Sequence, residues 1–308
     1  MQVLTRDRIQ YAFDRRIEPA LHVRPGETIT VQTEDSRAGR TRTPETTTPQ
    51  FLREMRAAGY HGNPVSGPIF VEEAQPGDAL AVRIHEVRCD NLGYFGYWPF
   101  LYHLSDWFSD PVTELVDIRD GEVRYQMRTS RGDYAVRIPV QPMIGCIGTA
   151  PPLEVITTGG TGRYGGNLDT PEIRAGSTLY LPVAVPGGLL SLGDCHAHQG
   201  DGEVSGIEMR AEIILSIDVL KGGGQGQSWP RIETPTHLVT VGCDRPLESA
   251  QWLAIREMVV WLEQRYGWSK EEARRLLGLV CDVRPGQAQV AMYTMRLLVA
   301  KAHLPPPE

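Results

Sequence analysis

Lysine is almost missing from this chain. Of its 31 basic residues only three are lysine, and the first of them is Lys221. Two types of lysine-dependent nucleophilic site need that residue earlier: Glu-Lys-Cys sites place it some tens of residues before the cysteine, and Ser-Ser-Lys sites place it before both serines. Cys89, Cys146 and Cys195 therefore cannot be nucleophiles of the first type, and no serine before Lys221 fits the second.

Long apolar segments, closely paired cysteines and excess positive charge are also missing. The apolar run at residues 179–192 is broken by prolines and glycines, and the first 16 residues lack an apolar core, so neither a membrane span nor a signal peptide is expected. Five cysteines without C-x-x-C spacing fit free thiols in a reducing compartment. A net charge of −7 argues against nucleic acid, because phosphate binding requires a basic surface. We expect a cytoplasmic protein with neither a membrane nor a nucleic-acid partner.

Two common active-site motifs are missing as well. A Ser-His-Asp hydrolase would prefer a G-x-S-x-G turn, which does not occur in the chain. The glycine-rich residues 222–227 lack the Lys-Ser/Thr that completes a phosphate-binding loop. We interpret this segment as a flexible hinge or the tip of a hairpin.

The pattern of the chain changes near residue 235. Before it, short runs of Val, Ile, Leu and Thr alternate with Gly and Pro, which is typical of strands joined by turns. The candidate elements there are strands at residues 27–33, 68–71, 79–87, 134–140, 178–183 and 208–217, and a short helix at 48–58. After it, apolar spacing predicts a helix over 246–266 that Gly267 ends, a capping box at Ser269 begins a second helix, and residues 287–299 return as a strand. We predict a mainly β fold, with a jelly-roll-like β-sandwich body over residues 1–235 and a small C-terminal α/β subdomain over residues 236–308.

The densest group of chemically active residues is GDCHAHQGDGE at residues 193–203. Histidine and carboxylate side chains bind divalent metals and transfer protons near neutral pH, and the glycines let the backbone approach a ligand closely. Asp194, His196 and His198 are spaced by two, as are Asp201 and Glu203, so each set shares a face if the segment is extended. We interpret the segment as the edge of an active site; the alternative is a turn-rich loop whose histidines cap strands.

Three other segments offer candidate groups. Asp35 follows the predicted strand at 27–33 and could project into a cleft, although an ordinary turn carboxylate is equally consistent. In GGNLD, at residues 165–169, Asn167 and Asp169 share a face of an extended chain and could address one ion or substrate. The alternative there is a β-bulge followed by a turn. His61 stands alone in its loop and is better interpreted as a surface histidine.

Together these motifs resemble those of the acetamidase/formamidase family. The resemblance lies in SGPIFVE at residues 66–72 with PGD at 76–78, in GGNLD at 165–169 and in GSTLYLPV at 176–183. It is strongest at residues 193–206, which fit G-D-x-H-A-x-Q-G-D-G-E-V-x-G throughout. The similarity runs in order through most of residues 20–300.

This resemblance implies hydrolysis of a small, short-chain amide to an acid and ammonia. It also implies a divalent metal, zinc or calcium, a jelly-roll-like β-sandwich with an α/β tail, and a homo-oligomer. Position by position, it places Asn167, Asp169, His196, Asp201 and Glu203 on the family's shared residues.

The chain departs from the family at Cys195 and His198, where relatives usually hold small residues, and in an aromatic-rich segment at residues 92–109. That segment could form a wall of the pocket and change which amide fits. It therefore motivates a further hypothesis, an enzyme on the same scaffold that acts on a larger amide or a cyclic imide.

We predict a metal-dependent amidohydrolase. The predicted ligands of the metal, zinc in the first place and calcium as the alternative, are Asp35, Asp169 and His196. Glu203 is predicted to act as general base and then to protonate the leaving ammonia, with Asn167 or backbone amides supporting the oxyanion and Asp201 orienting His196 or Glu203. A different class of function stays open: a metal-containing β-sandwich that binds a carbohydrate or polyol without hydrolysis.

Overall fold

The computed structural model describes residues 1–60, 62–98 and 106–306. Strands make up 44% and helices 16% of the chain, and the strands form a large curled antiparallel sheet, which confirms the prediction of a mainly β fold. His61 and most of the aromatic segment beyond Trp98 lie outside the described residues. Within the described ranges, no helix is long and apolar enough to cross a membrane.

The elements are numbered in chain order. The strands are β1 (Gln2–Leu4), β2 (Ile9–Gln10), β3 (Ala12–Phe13), β4 (Leu21–Val23), β5 (Thr28–Thr33), β6 (Val65–Val71), β7 (Ala79–Tyr97), β8 (Val112–Arg119), β9 (Glu122–Thr129), β10 (Gly132–Pro139), β11 (Met143–Gly148), β12 (Ile156–Thr157), β13 (Thr161–Gly162), β14 (Gly165–Asn167), β15 (Thr178–Pro182), β16 (Leu190–His196), β17 (Glu208–Leu220), β18 (Arg231–Glu233), β19 (His237–Asp244), β20 (Asp282–Pro285) and β21 (Tyr293–Ala300). The helices are α1 (Pro49–Ala57), α2 (Leu247–Tyr266) and α3 (Lys270–Val280), with 3-10 turns at Pro44–Thr47 and Lys301–His303.

The long strand β17 organises the body of the protein. It pairs antiparallel with β5 on one edge and with β7 on the other, so that Ile213 lies opposite both Val31 and Val87. Its apolar side chains Ile213 and Leu215 are fully buried, as period-two alternation of a half-buried strand requires. Because β7 also pairs with β8 and β15, these contacts extend the sheet across the molecule.

Most of the elements predicted from the sequence occur within a few residues of their expected bounds. Thr48 caps α1 with its side chain, Gly267 ends α2 in the left-handed conformation at φ 66°, and Ser269 with Glu272 forms a complete capping box at the start of α3. These are local signals, since each depends on residues within one helical turn.

Two of the predicted strand boundaries were wrong. β7 continues ten residues past its predicted end at residue 87, to Tyr97, because residues 92–97 pair with β8; the start of the aromatic segment is therefore strand. The C-terminal strand begins at Tyr293, not at residue 287. The Gln287 side chain accepts bonds from the backbone N–H groups of Gln289 and Val290, which holds residues 287–290 in a turn.

The C-terminal residues form a sheet with two helices on it. β18, β19, β21 and β20 are consecutive neighbours, and α2 and α3 cover them around a second apolar cluster that includes Leu238, Met258 and Leu297. β18 also pairs with β15 of the body, so hydrogen bonding continues across the predicted boundary at residue 235. The division into two domains stays a prediction.

Candidate active site

One short strand brings the two candidate motifs together. β11 lies between β14 and β16, so Cys146 is opposite both Asn167 and Gly193. Gly145 leaves the space that the acidic groups need: a Cβ there would lie 2.7 Å from Asp169 Oδ1 and 2.6 Å from the Asp194 carbonyl oxygen. Residues far apart in the chain therefore meet on one face because of strand register.

The His196 ring is held in a defined orientation by Gln199. The Gln199 amide nitrogen donates to the carbonyl of Asp169 at 2.8 Å, so its Oε1, 2.7 Å from His196 Nδ1, must accept a proton from that ring nitrogen. His196 Nε2 therefore points the other way, 3.8 Å from Asp194 Oδ1 and 3.4 Å from Glu208 Oε1. The ring is completely buried.

Two aspartates are oriented by two asparagines. Asn167 Nδ2 donates to Asp169 Oδ2 at 2.7 Å, and Asn63 Nδ2 donates to Asp194 Oδ2 at 2.9 Å and to Asn167 Oδ1 at 3.0 Å. Each aspartate thus has one carboxylate oxygen engaged, and its other oxygen, Oδ1, has no hydrogen-bond partner among the described residues.

Four buried atoms at this point have no hydrogen-bond partner within residues 1–60, 62–98 and 106–306: Asp169 Oδ1, Asp194 Oδ1, His196 Nε2 and Glu208 Oε2. We call them the inner atoms. Buried polar atoms are almost always satisfied, so four unsatisfied ones in one place indicate a ligand. A neutral imidazole nitrogen and carboxylate oxygens are the donor set of a zinc site, whereas calcium takes oxygen ligands alone. The residues present therefore fit a divalent cation.

The ligand-type atoms form two overlapping groups around His196. Asp169, His196 and Glu203 make one group, and Asp194, His196 and Glu208 the other; within each, the ligand atoms lie within 4.8 Å of one another. Four carboxylates thus surround one imidazole, a concentration of buried negative charge that a cation or bound protons would offset.

The ionisation of the cluster reflects this crowding. Burial raises the pKa of Asp169 well above its usual range, and the Glu203 and Asp194 carboxylates add to the effect. Burial likewise raises the pKa of Glu203 to about 8, against the opposing effect of His196. Burial acts to lower the pKa of His196, but Glu208 and Asp194 outweigh it and raise that pKa well above its usual value. Groups shifted in this way are typical of proton-transfer sites.

A cavity of about 370 Å³ opens onto the cluster. Its lining includes the acids Asp194, Glu203 and Glu208 and the aromatic residues Tyr60, Tyr94 and Trp98. A concave site of this size with several converging polar groups is a candidate small-molecule site.

Known proteins are similar to this chain in sequence and in fold. The sequence model of the Acetamidase/Formamidase family matches residues 5–160 and 154–290. This chain belongs to the acetamidase/formamidase family. The crystal structure of an acetamidase from Bacillus halodurans superposes with a TM-score of 0.86 at 33% identity, over 98% of each chain. An acetamidase structure from Yersinia enterocolitica gives a TM-score of 0.86 at 28% identity, over 99% of this chain and 94% of that one.

A curated acetamidase from Mycolicibacterium smegmatis is 29% identical over 236 residues, which are 56% of this chain and 56% of that protein. The chain therefore matches only about half of the length of its curated relatives.

Not every predicted site residue of this family member reaches the cluster. Asp35 Oδ1 accepts the backbone N–H groups of Arg37 at 2.9 Å and Gly39 at 3.0 Å, so its carboxylate caps a turn. It belongs to neither ligand group among the described residues. Of the two interpretations of Asp35 that the sequence left open, the structure agrees with the turn carboxylate.

Asp201 also points away from the cluster. It forms an ion pair with Arg296 of β21, and Arg284 Nη1 lies 4.0 Å from its other oxygen. Gln199, not Asp201, holds the His196 ring. Asn167 is engaged with Asp169 and Asn63 rather than left for an oxyanion.

Cys195 is enclosed by the core. Burial raises the pKa of its thiol to about 12, which argues against a thiolate nucleophile at neutral pH.

Three contributors were missed from the sequence. Glu208 is opposite His196 in the β16–β17 pair, so a hairpin alignment of these segments would have found it. Gln199 lies inside the family motif but carries no charge. Asn63 lies in the loop around His61, which we interpreted as a surface loop. The Gln199 bond to Asp169 and the Asn63 bond to Asp194 join residues that are 30 and 131 positions apart in the chain.

Proposed function

We propose that this chain hydrolyses a linear amide to a carboxylic acid and ammonia in the cavity above His196. The observation that supports it most is the grouping of the four inner atoms around His196, next to Glu203 and to a cavity that has room for a small organic molecule. Family membership supports the same reaction class.

The proposed cation is zinc, held by Asp194, His196 and Glu208, whose ligand atoms lie within 4.8 Å of one another, with Asp169 beside His196 in the overlapping group. A bound zinc ion would supply polarisation of the amide carbonyl and a lowered pKa of water. Asp194 and Glu208 thus take the places that the sequence suggested for Asp35 and Asp169.

Glu203 carries the proton in this proposal. It lies in the same group as Asp169 and lines the cavity, so it can accept a proton from the attacking water and return it to the departing nitrogen as the C–N bond breaks. Gln199 keeps the His196 ring fixed throughout, and Asn167 and Asn63 keep the two aspartates in place.

The size of the cavity favours a second candidate substrate. About 370 Å³ lies within the range of roughly 300–1,000 Å³ typical of drug-sized ligands, and acetamide leaves most of that space to water. Tyr94 and Trp98 offer apolar surface for a longer acyl group. A panel running from formamide through acetamide and butyramide to phenylacetamide tests this, with kcat/KM expected to rise with acyl size.

The ligand set can be tested by metal analysis of isosteric variants. Wild-type protein is expected to bind one zinc ion per chain and to release ammonia from at least one amide, with the activity lost on chelation and restored by zinc. Asp194→Asn should lose the metal, whereas Asp35→Asn should keep it, because an asparagine oxygen can still accept the bonds of the Asp35 turn.

Three results would each overturn a part of the proposal. Metal retained in Asp194→Asn but lost in Asp35→Asn would restore the ligand set suggested by the sequence. Ammonia release from no amide, together with tight binding of a sugar or polyol, would favour the binding module. Amide hydrolysis by protein free of metal would remove zinc from the mechanism and leave a protonated His196 to balance the carboxylates.

Glu203→Gln separates proton transfer from metal binding. The variant should keep its zinc, because the three proposed ligands are unchanged, and turnover should fall about 10²–10⁴-fold. Unchanged turnover would exclude Glu203 as the proton carrier.

A further inference from the structure

Arg296 is an unusually buried charge in the C-terminal sheet. It is 1% exposed and is among the largest fully buried side chains of the protein. Its Nε lies 3.0 Å from Glu172 Oε2, its Nη1 donates to the Pro285 carbonyl at 3.0 Å, and its Nη2 contacts Asp201. A buried guanidinium is tolerated only when it is paired in this way.

The Asp201 contact ties Arg296 to the loop that carries Glu203. Gly202, between the two acids, donates its backbone N–H to Pro285 at 3.2 Å and to Gly286 at 3.1 Å. Residues 201 and 202 are thus held by the C-terminal hairpin through the close ion pair with Arg296, a longer one with Arg284, and a backbone N–H shared between two carbonyls. We call these contacts of Arg296, Asp201 and Gly202 the loop latch.

The loop that contains Gly202 and Glu203 has a strained backbone conformation, which its contacts must stabilise. Gly202 has φ 85° and Glu203 has φ 46°, and a glutamate in the left-handed region is strained. The surrounding contacts must maintain that conformation, because it directs the Glu203 carboxyl to Asp169.

We infer that Arg296 is a positioning residue of the amide-cleaving site: through the loop latch it holds Glu203 against Asp169. This inference rests on the proposed function, since it assigns Glu203 the proton transfer. Arg296 is not among the residues that line the cavity, so its effect on substrate binding should be small. A misplacement of a catalytic group by about 1 Å can cost on the order of 10²-fold in rate.

The chain provides a matched control for loss of a buried ion pair. Arg231 is 5% exposed, and its Nε lies 2.6 Å from Glu257 Oε1, in the same C-terminal sheet and helix layer. It makes no contact with the loop of residues 199–206 in the hydrogen bonds and ion pairs of the described chain. Arg231→Met therefore reports the general cost of removing a buried arginine.

The test compares Arg296→Met, Asp201→Ala, the double variant and Arg231→Met in the full-length zinc-loaded protein. Asp201 is partly exposed, so Asp201→Ala should fold even if Arg296→Met does not. We expect kcat to fall about 10–100-fold in both latch variants with KM changed less than twofold, as for residues that orient catalytic groups. The double variant should be no slower than the worse single variant, because both remove one contact. Arg231→Met should keep its kcat.

Hydrogen exchange gives a second readout that does not need activity. Exchange of the peptide covering residues 199–206 should accelerate in Arg296→Met and Asp201→Ala, but not in Arg231→Met. Equal losses of kcat in Arg296→Met and Arg231→Met, or unchanged exchange and kcat in Asp201→Ala, would refute the loop latch. If wild-type protein cleaves no amide, the proposed function fails and the exchange comparison alone decides the loop latch.

Discussion

Replacing Gln199 by methionine should remove the hydrogen bond that orients the His196 ring. The Gln199 side chain is buried, and it joins three groups: His196 Nδ1 at 2.7 Å, the Asp169 carbonyl at 2.8 Å and, more weakly, the Gly286 carbonyl at 3.5 Å. Methionine fills a similar volume but offers no comparable donor or acceptor. The imidazole N–H and the Asp169 carbonyl would stay buried without partners.

The expected size of the effect follows from those two lost bonds. Each buried group left without its partner costs about 1–3 kcal/mol, so the free energy of unfolding of the metal-free protein should fall by about 2–6 kcal/mol. Zinc affinity should fall about 10–100-fold, because the ring is no longer held with Nε2 towards the carboxylates.

Urea unfolding of chelator-treated protein measures the first effect, and a competition titration with a zinc indicator measures the second. Gln199→Glu keeps an acceptor for the imidazole and loses the donor to Asp169, so its zinc affinity should lie closer to that of the wild type.

Gln227→Met is the matched control: this glutamine is also buried and donates to the carbonyls of Tyr180 at 2.9 Å and Trp229 at 3.1 Å, away from the cluster. It should lower stability but not zinc affinity. Wild-type zinc affinity in Gln199→Met would refute the assignment of the ring orientation.

Two other predictions concern space and charge. Gly145→Ala should lower zinc affinity, because the added Cβ would lie 2.6 Å from the Asp194 carbonyl oxygen and 3.3 Å from Asp194 Oδ2 and would displace that residue; a folded variant with wild-type zinc affinity would show that Asp194 is not a ligand. The backbone N–H of Gly222 and the ammonium of Lys221 hold the pKa of Asp78 below its ordinary value of 3.8. Asp78 therefore stabilises the protein above that pH and loses its contribution as the pH falls through the lowered pKa. The deficit of Asp78→Asn in urea unfolding should be full at pH 7 and shrink below pH 3.8, and a deficit that grows on acidification would contradict this sign.

The elements that could be predicted are those whose causes are local. The capping box at Ser269, the left-handed stop at Gly267 and the alternation along β17 each involve neighbouring residues, so their positions could be read directly. The prediction failed where a distant partner decides the outcome, as in β7, which continues to Tyr97 because β8 pairs with it.

The site shows the same division. Motif spacing singled out His196, Asp169 and Glu203, and the structure brings these three into one group. Spacing could not show that Asp35 caps its own turn or that Asp201 pairs with Arg296, because each outcome depends on which neighbour the folded chain presents.

The sequence by itself determined the mainly β class, the family and the chemical character of the residues that could form a site. Only the tertiary structure decided which of those residues share the cluster, how Gln199 turns the His196 ring, and which carboxylate oxygens are left without partners. The reason is physical: residue types and short-range periodicity are properties of a local segment. The convergence of the acids is set by the register of β11 between β14 and β16, strands whose order in the sheet differs from their order in the chain.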